Sequence, residues 1–128
     1  MATQITEGVK VSVETVYQPE YSNPENQHFM FAYKITIENL SDHSIQVLRR
    51  HWFIFDSNGS RREVEGDGVV GQQPVIDPGE HHEYVSGCNL KSDMGSMEGT
   101  YQVLREIDGC RFEVKIPKFM LIAPHRLN

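Results

Sequence analysis

The nine residues FMFAYKITI, Phe29 to Ile37, decide the fold class of this chain. An apolar or aromatic side chain recurs at every second position of this stretch: Phe29, Phe31, Tyr33, Ile35 and Ile37. Only an extended strand, whose successive side chains point to opposite faces, gathers these five residues on one side. The sequence therefore predicts a half-buried β-strand whose other face carries Met30, Lys34, Thr36 and Glu38.

The same period of two continues on both sides of this strand. Turn residues separate the alternating runs, and apolar residues do not recur at helical spacing. Asn58-Gly59 and Asp108-Gly109 are dipeptides typical of tight β-hairpins. Further strands are predicted at residues 9–17, 45–55, 61–65, 81–87, 97–107 and 112–116, followed by a short apolar tail at 119–122. About seven strands with a turn roughly every ten residues predict an all-β sandwich, with one domain over residues 1–128.

Two strands carry specific expectations. In the segment 97–107, the alternation places Tyr101, Val103 and Ile107 on one face. The run Trp52-Phe53-Ile54-Phe55 is apolar on both faces, which is typical of a strand covered on both sides or of a strand with a β-bulge.

Between Gly66 and Glu80 lie four glycines and two prolines. This segment is therefore expected to be a long non-helical excursion that covers part of the apolar surface.

Composition limits the function classes. The chain has 128 residues and a formal net charge of −6, so it lacks the basic surface that nucleic acids or anionic membranes select. No stretch approaches the roughly 20 apolar residues of a membrane span, and the segment MATQITEGVK lacks the charged and apolar regions that are expected of a signal peptide. We therefore expect a cytoplasmic protein with no membrane insertion, in which Cys88 and Cys110 are free thiols.

The central and C-terminal segments resemble the ApaG family of small bacterial proteins. The resemblance covers Val9 to about Pro124, and it rests on the combination WFIFDSNG, REVEGDGVVGQQPVIDPGE, YVSGCNL, MEGTYQV and FEVKIPKFML. It implies a fibronectin type III-like or immunoglobulin-like β-sandwich. It also implies a link to cobalt resistance and magnesium efflux, a partner-binding role for related domains, and no established enzymatic activity.

Gly66, Gly68 and Gly71 form the pattern GxGxxG. In dinucleotide-binding folds such glycines bring the backbone close to a pyrophosphate at a helix N-terminus. Here no α/β unit surrounds the motif, and Pro74 and Pro78 exclude a helix directly after it. A glycine-rich turn that needs positive φ is the favoured interpretation. An anion-binding nest for a pyrophosphate is the alternative, and the family resemblance also implies a pyrophosphate contact at this motif.

Three acidic residues precede and enter the same motif. Glu63, Glu65 and Asp67 would share one face of an extended strand, roughly 6–7 Å apart. Three such carboxylates could hold Mg²⁺, a hard ion that prefers oxygen ligands, although a solvated strand face is the favoured interpretation. The six histidines show no ligand spacing, so a cobalt or nickel site would require convergence of residues distant in sequence.

These observations favour a non-catalytic interaction module with an unidentified protein partner, without a required cofactor. Catalytic residues are not predicted, because no nucleophile and base stand at a readable spacing. Exposed sheet edges make a homodimer or an added partner strand a reasonable use of the fold. The alternative function is a ligand-binding or weakly enzymatic protein for a nucleotide pyrophosphate–Mg²⁺ complex at Gly66–Gly71.

Overall fold

A computed structural model of the protein describes residues 1–124. They form nine β-strands and two three-residue 3₁₀ helices, Pro19–Tyr21 and Pro24–Asn26. Neither helix has the length or apolar character to cross a membrane. The strands are β1 (Ala2–Thr6), β2 (Val9–Tyr17), β3 (Phe29–Asn39), β4 (Ile45–Asp56), β5 (Arg61–Asp67), β6 (Val75–Ile76), β7 (His81–Leu90), β8 (Met94–Arg105) and β9 (Cys110–Ile122).

Two antiparallel sheets pack face to face as a sandwich. The four-stranded sheet has the order β1-β2-β3-β7, and the five-stranded sheet has the order β5-β4-β8-β9, with the short β6 paired to β4. The predicted all-β sandwich class is confirmed, although the chain forms nine strands where about seven were expected. The two additional strands are β1, at a sheet edge, and β6, within the excursion that was expected to be irregular.

The core lies between the two sheets and follows the period-two pattern of the sequence. The predicted strand at 29–37 is confirmed, and its five alternating residues are at most 8% exposed. Its Tyr33 ring lies 5.5 Å from the Trp52 ring of the opposite sheet, and Trp52 packs edge-on against Phe119 at 5.9 Å. The Tyr33–Trp52 pair connects the two sheets, and such edge-to-face pairs add stability beyond simple area burial.

Two β-bulges interrupt the five-stranded sheet. Leu48 is an extra residue of β4, because Val47 pairs with Val103 while Arg49 pairs with the adjacent Gln102. In β9, two residues stand opposite Glu98, and one of them is Pro117. Proline is tolerated there because a bulge on an edge strand does not need its missing N–H. Pro117 was expected to separate the last strand from the apolar tail; instead β9 runs through it to Ile122.

Two side-chain expectations differ from the structure. Ile107 is 77% exposed, because β8 ends at Arg105 and Ile107 already lies in the turn. For the run Trp52 to Phe55, the sequence predicted either a strand covered on both faces or a strand with a β-bulge. The strand has a bulge, and this run is covered on one face only. Trp52 and Ile54 point into the core, whereas Phe53 and Phe55 remain 45% and 40% exposed on the outside.

Candidate functional site

The glycine loop, residues 66–73, folds over the bulge of β4 and satisfies its backbone. The N–H of Gly68 donates to the Leu48 carbonyl at 2.7 Å, and the Gln73 side-chain amide donates to the same oxygen at 3.0 Å. Val69 and Gln72 exchange two backbone hydrogen bonds, of 2.7 and 3.1 Å, which close a tight turn. The Val69 side chain is 1% exposed and anchors the loop in the core.

Each glycine of the motif has its own geometric reason. Gly68 has φ +66°, and a Cβ there would overlap the carbonyl oxygen of Gln72. Gly71 has φ +75° and stands with Val70, at φ +47°, in the centre of the turn, with open space where a Cβ would be. Two successive positive φ angles are typical of the type I′ turn. Gly66 needs no special φ, but its Cβ would lie 2.9 Å from the Arg50 guanidinium.

Two arginines hold the start of this loop. Nη1 of Arg50 donates to the carbonyls of Asp67 and Gly68, at 3.0 and 3.1 Å. Arg49, on the outer face, pairs with the Asp67 carboxylate at 2.5 Å. The loop therefore directs two carbonyl oxygens towards Arg50, and the Asp67 carboxylate is occupied by Arg49.

This geometry bears on the pyrophosphate hypothesis for Gly66, Gly68 and Gly71. A nest binds an anion through consecutive N–H groups that point at the ligand. In this loop the N–H groups of Gly68, Val69 and Gln72 donate to backbone carbonyls of the protein itself. The three glycines thus meet needs of the backbone, and anion binding at the loop stays a prediction for a direct titration.

The aromatic face is the outer surface of the five-stranded sheet around Phe53 and Phe55. A cleft of about 600 Å³ opens there, and its charged lining residues are Arg61, Arg62, Glu63, Glu98 and Lys118. The Arg61 guanidinium lies 5.6 Å from the centre of the Phe55 ring, within the range of a cation–π contact. This face therefore combines two half-exposed aromatic rings with charges of both signs.

The His51 cluster, formed by His51, Glu63 and Glu65, lies at one end of the aromatic face. His51 Nε2 is 2.5 Å from a Glu63 carboxylate oxygen, and His51 Nδ1 is 3.2 Å from a Glu65 oxygen. The His51 ring also packs on Phe53, with ring centroids 4.4 Å apart. Both glutamates had been singled out from the sequence, but Asp67, the third proposed carboxylate, lies with Arg49 outside the cluster.

The sequence contained a signal for His51 that the motif search missed. The hairpin signal Asn58-Gly59 fixes how β4 and β5 pair, and counting outward from that turn brings His51 opposite Glu65 and Phe53 opposite Glu63. Side chains of directly opposite residues share one face of a sheet. The remaining histidines give no comparable group within residues 1–124, where His81 lies 3.6 Å from the single carboxylate of Glu83; His125 lies outside the described residues.

Buried titratable groups of the core are held in their neutral forms. Burial raises the pKa of the Cys88 thiol, and the nearby Arg62 only partly opposes this effect. Burial likewise raises the pKa of Tyr84 and Tyr101, whose hydroxyls hydrogen-bond each other between the sheets. A thiol with a raised pKa is a poor nucleophile at neutral pH. Cys110 is exposed and lies in the other sheet, and the reduced state of both thiols stays a prediction for alkylation mass spectrometry.

Comparison with known proteins places the sequence motifs and the fold in one family. The family model described as the ApaG domain matches residues 19–105. The chain is 48% identical to Protein ApaG of Anaeromyxobacter dehalogenans strain 2CP-C over 128 residues, which cover all of both chains. It is 50% identical to Protein ApaG of Pseudomonas paraeruginosa strain PA7 over 120 residues, 94% of each chain.

Solved structures agree with this similarity. A crystal structure described as an ApaA protein from Bordetella pertussis superposes with a TM-score of 0.88 at 47% identity. The match covers 91% of this chain and 94% of that one. Similarity at this level extends to the whole sandwich, including the five-stranded sheet that carries both the glycine loop and the aromatic face.

Proposed function

Because the chain belongs to the ApaG family, we propose that it is a non-catalytic binding module of the cytoplasm that presents its aromatic face to a protein partner. The observation that carries the proposal is the exposure of Phe53 and Phe55, 45% and 40%, on a central strand of the sheet. Aromatic side chains in such a position contribute little to the core, and they are the residue type enriched at the centre of protein interfaces.

The surroundings of the two rings support this use. Arg61 stacks over Phe55, and arginine beside an aromatic ring is a frequent interface anchor. Glu63, Glu98 and Lys118 border the cleft, so charged groups surround an apolar centre, as in the core-and-rim arrangement of protein interfaces. On β5, the outer edge strand, the sequence RREVEGD carries charges that oppose unspecific edge-to-edge pairing.

Burial of two nucleophilic side chains, Cys88 and Ser96, supports the non-catalytic part of the proposal. The Cys88 thiol is buried and its pKa is raised, which disfavours the reactive thiolate. Ser96 is 7% exposed and lies within β8, a regular strand, without the sharp turn that exposes a catalytic serine.

The family resemblance extends the proposal to cobalt and magnesium homeostasis. On this proposal the protein acts in cation efflux by binding another component through the aromatic face. Replacement of the chromosomal copy by Phe53→Ser/Phe55→Ser should then lower cobalt tolerance as far as deletion does, at unchanged protein level. Normal tolerance of that variant would separate the aromatic face from cation homeostasis.

Site-specific photo-cross-linking tests the proposed binding face. With the photoreactive residue p-benzoylphenylalanine at position 53, cells should yield one dominant protein adduct that mass spectrometry identifies. The matched control is the same residue at position 16, because Val16 is 63% exposed on the outer face of the four-stranded sheet. The adduct should disappear when Phe55→Ser is added. Equal adducts from positions 53 and 16 would contradict a binding face on the five-stranded sheet.

A further inference from the structure

We infer that the His51 cluster is a binding site for a divalent transition-metal ion of the Zn²⁺ class. The inference rests on one imidazole and two carboxylates that adjacent strands bring to one point of the sheet surface. One ligand atom from each of the three residues lies within 4.8 Å of the other two. The inference goes beyond the proposed interaction role, because metal binding here requires no protein partner.

The donor set selects the class of metal. Zn²⁺ accepts nitrogen and carboxylate oxygen together at about 2.0–2.2 Å in a tetrahedral arrangement. Mg²⁺ prefers an octahedral shell of oxygen and keeps several of its waters. One histidine nitrogen and two carboxylate oxygens supply three of four tetrahedral positions, so the fourth position is left for water. The all-carboxylate site predicted from Glu63, Glu65 and Asp67 differs from this set, because it contains Asp67 in place of His51.

A single metal ion takes only one ring nitrogen of His51, so one glutamate has to turn towards the nitrogen that the other glutamate contacts. Glu63 lies 2.5 Å from Nε2 and Glu65 lies 3.2 Å from Nδ1, whereas tetrahedral ligand atoms at these bond lengths stand about 3.4 Å apart around the ion. The side chains of Glu63 and Glu65 are 58% and 56% exposed, so they can rotate at little cost. The ring of His51 is less free, because it is 29% exposed and packs on Phe53.

The charges around the cluster favour a cation. Arg49 on the same strand is paired with Asp67 at 2.5 Å, and Arg50 donates to backbone carbonyls of the glycine loop. The carboxylate of Glu113 lines the same concavity as His51 and Glu65 and adds a further negative charge. Arg49 and Arg50 line this concavity too, but their guanidinium groups are engaged by Asp67 and by the loop carbonyls, so the three glutamates leave an excess of negative charge.

In the metal-free cluster His51 contacts both glutamates at the protein surface. Polar pairs at the surface contribute little to stability, so exchanging them for metal coordination costs little.

Isothermal titration calorimetry with Zn²⁺ tests the site on the full-length chain after removal of any polyhistidine tag. The wild type should bind one Zn²⁺ per chain with a saturable isotherm. His51→Ala should abolish saturable binding. Glu63→Gln, on an exposed edge strand, should weaken binding at least about tenfold, as expected when one of three ligands is lost.

The matched control is His81→Ala, which removes a histidine with only one nearby carboxylate and should leave Zn²⁺ affinity unchanged. Thermal melting of each variant verifies that the fold is intact, and Glu63→Gln serves as the readout if His51→Ala does not fold. Three results would overturn the inference: no saturable Zn²⁺ binding by the wild type, Zn²⁺ binding that survives both substitutions, or Mg²⁺ binding as tight as Zn²⁺ binding.

Discussion

The glycine loop and the aromatic face belong to the same five-stranded sheet, on either side of the His51–Glu65 pair, but they use their polar groups in opposite ways. In the loop, the N–H groups of Gly68, Val69 and Gln72 donate to carbonyls of the protein, and the carbonyls of Asp67 and Gly68 accept from Arg50. On the aromatic face, Phe53 and Phe55 are half-exposed, and the carboxylates of the His51 cluster are solvent-accessible. The segment that resembles a ligand-binding motif is engaged in the fold, and the segment without a motif is available.

The reason for this difference is the bulge at Leu48. An extra residue in β4 leaves backbone groups that β8 cannot pair, and a buried unpaired carbonyl is costly. The glycine loop provides the missing donors from Gly68 and Gln73. A glycine pattern therefore indicates which backbone conformations are needed, whereas the hydrogen-bond partners decide whether any group remains for a ligand.

The largest expected loss of stability comes from Gly68→Ala, and it should exceed the loss from Gly71→Ala in the same motif. Gly68→Ala should lower the free energy of unfolding by about 3 kcal/mol, because positive φ costs about 1 kcal/mol and displacement of the Gln72 carbonyl costs the rest. Gly71→Ala should cost only about 1 kcal/mol, because its Cβ meets open space at a similar φ. Urea unfolding curves measure both, and equal losses would contradict the close packing of the loop on itself.

A smaller loss of stability is expected from substitution of Arg50, and it should still exceed the loss from substitution of Arg49. Arg50→Met removes charge-assisted hydrogen bonds to two loop carbonyls and should cost about 2 kcal/mol. Arg49→Met removes only an exposed ion pair with Asp67 and should cost less than about 1 kcal/mol. The same unfolding measurement applies, and a larger loss for Arg49→Met would mean that the loop is held from the outer face.

The fold could be predicted from the sequence wherever one strand face is strongly apolar. Phe29 to Ile37 is such a strand, and its buried residues followed directly from the alternation. β1 was missed because its side chains are only half-buried at a sheet edge and ATQIT lacks a strong apolar period. The continuity of β9 was missed because Pro117 suggests a break, and only the pairing with β8 reveals the bulge that accommodates it.

The candidate site was predictable in part. Glu63 and Glu65 were proposed as ligands from their spacing along one strand, but spacing within a strand does not show which residues of the next strand lie beside them. The pairing of β4 with β5 places His51 beside Glu65, and the ion pair with Arg49 holds Asp67 outside the cluster. Both effects depend on contacts between residues 12 to 18 positions apart, so a search by local motif does not detect them.

The smallest expected effect concerns the aromatic face. Phe53→Ser and Phe55→Ser should each lower the free energy of unfolding by about 1 kcal/mol, because each ring is only about half removed from water. Thermal and urea unfolding give this value, and the fold should persist in both variants. A loss as large as that of Gly68→Ala would assign these rings to the core and would remove the contrast between the two regions.

The central claim is that the N–H groups of Gly68, Val69 and Gln72 belong to the fold and not to a ligand. An NMR titration of the ¹⁵N-labelled protein with pyrophosphate and Mg²⁺ tests this claim most directly, because each loop amide gives its own signal. We predict that the amide signals of Gly68, Val69 and Gln72 stay in place at all concentrations of pyrophosphate, since these groups already donate within the protein. Saturable shifts centred on these three amides would contradict the claim and would establish the loop as an anion-binding site.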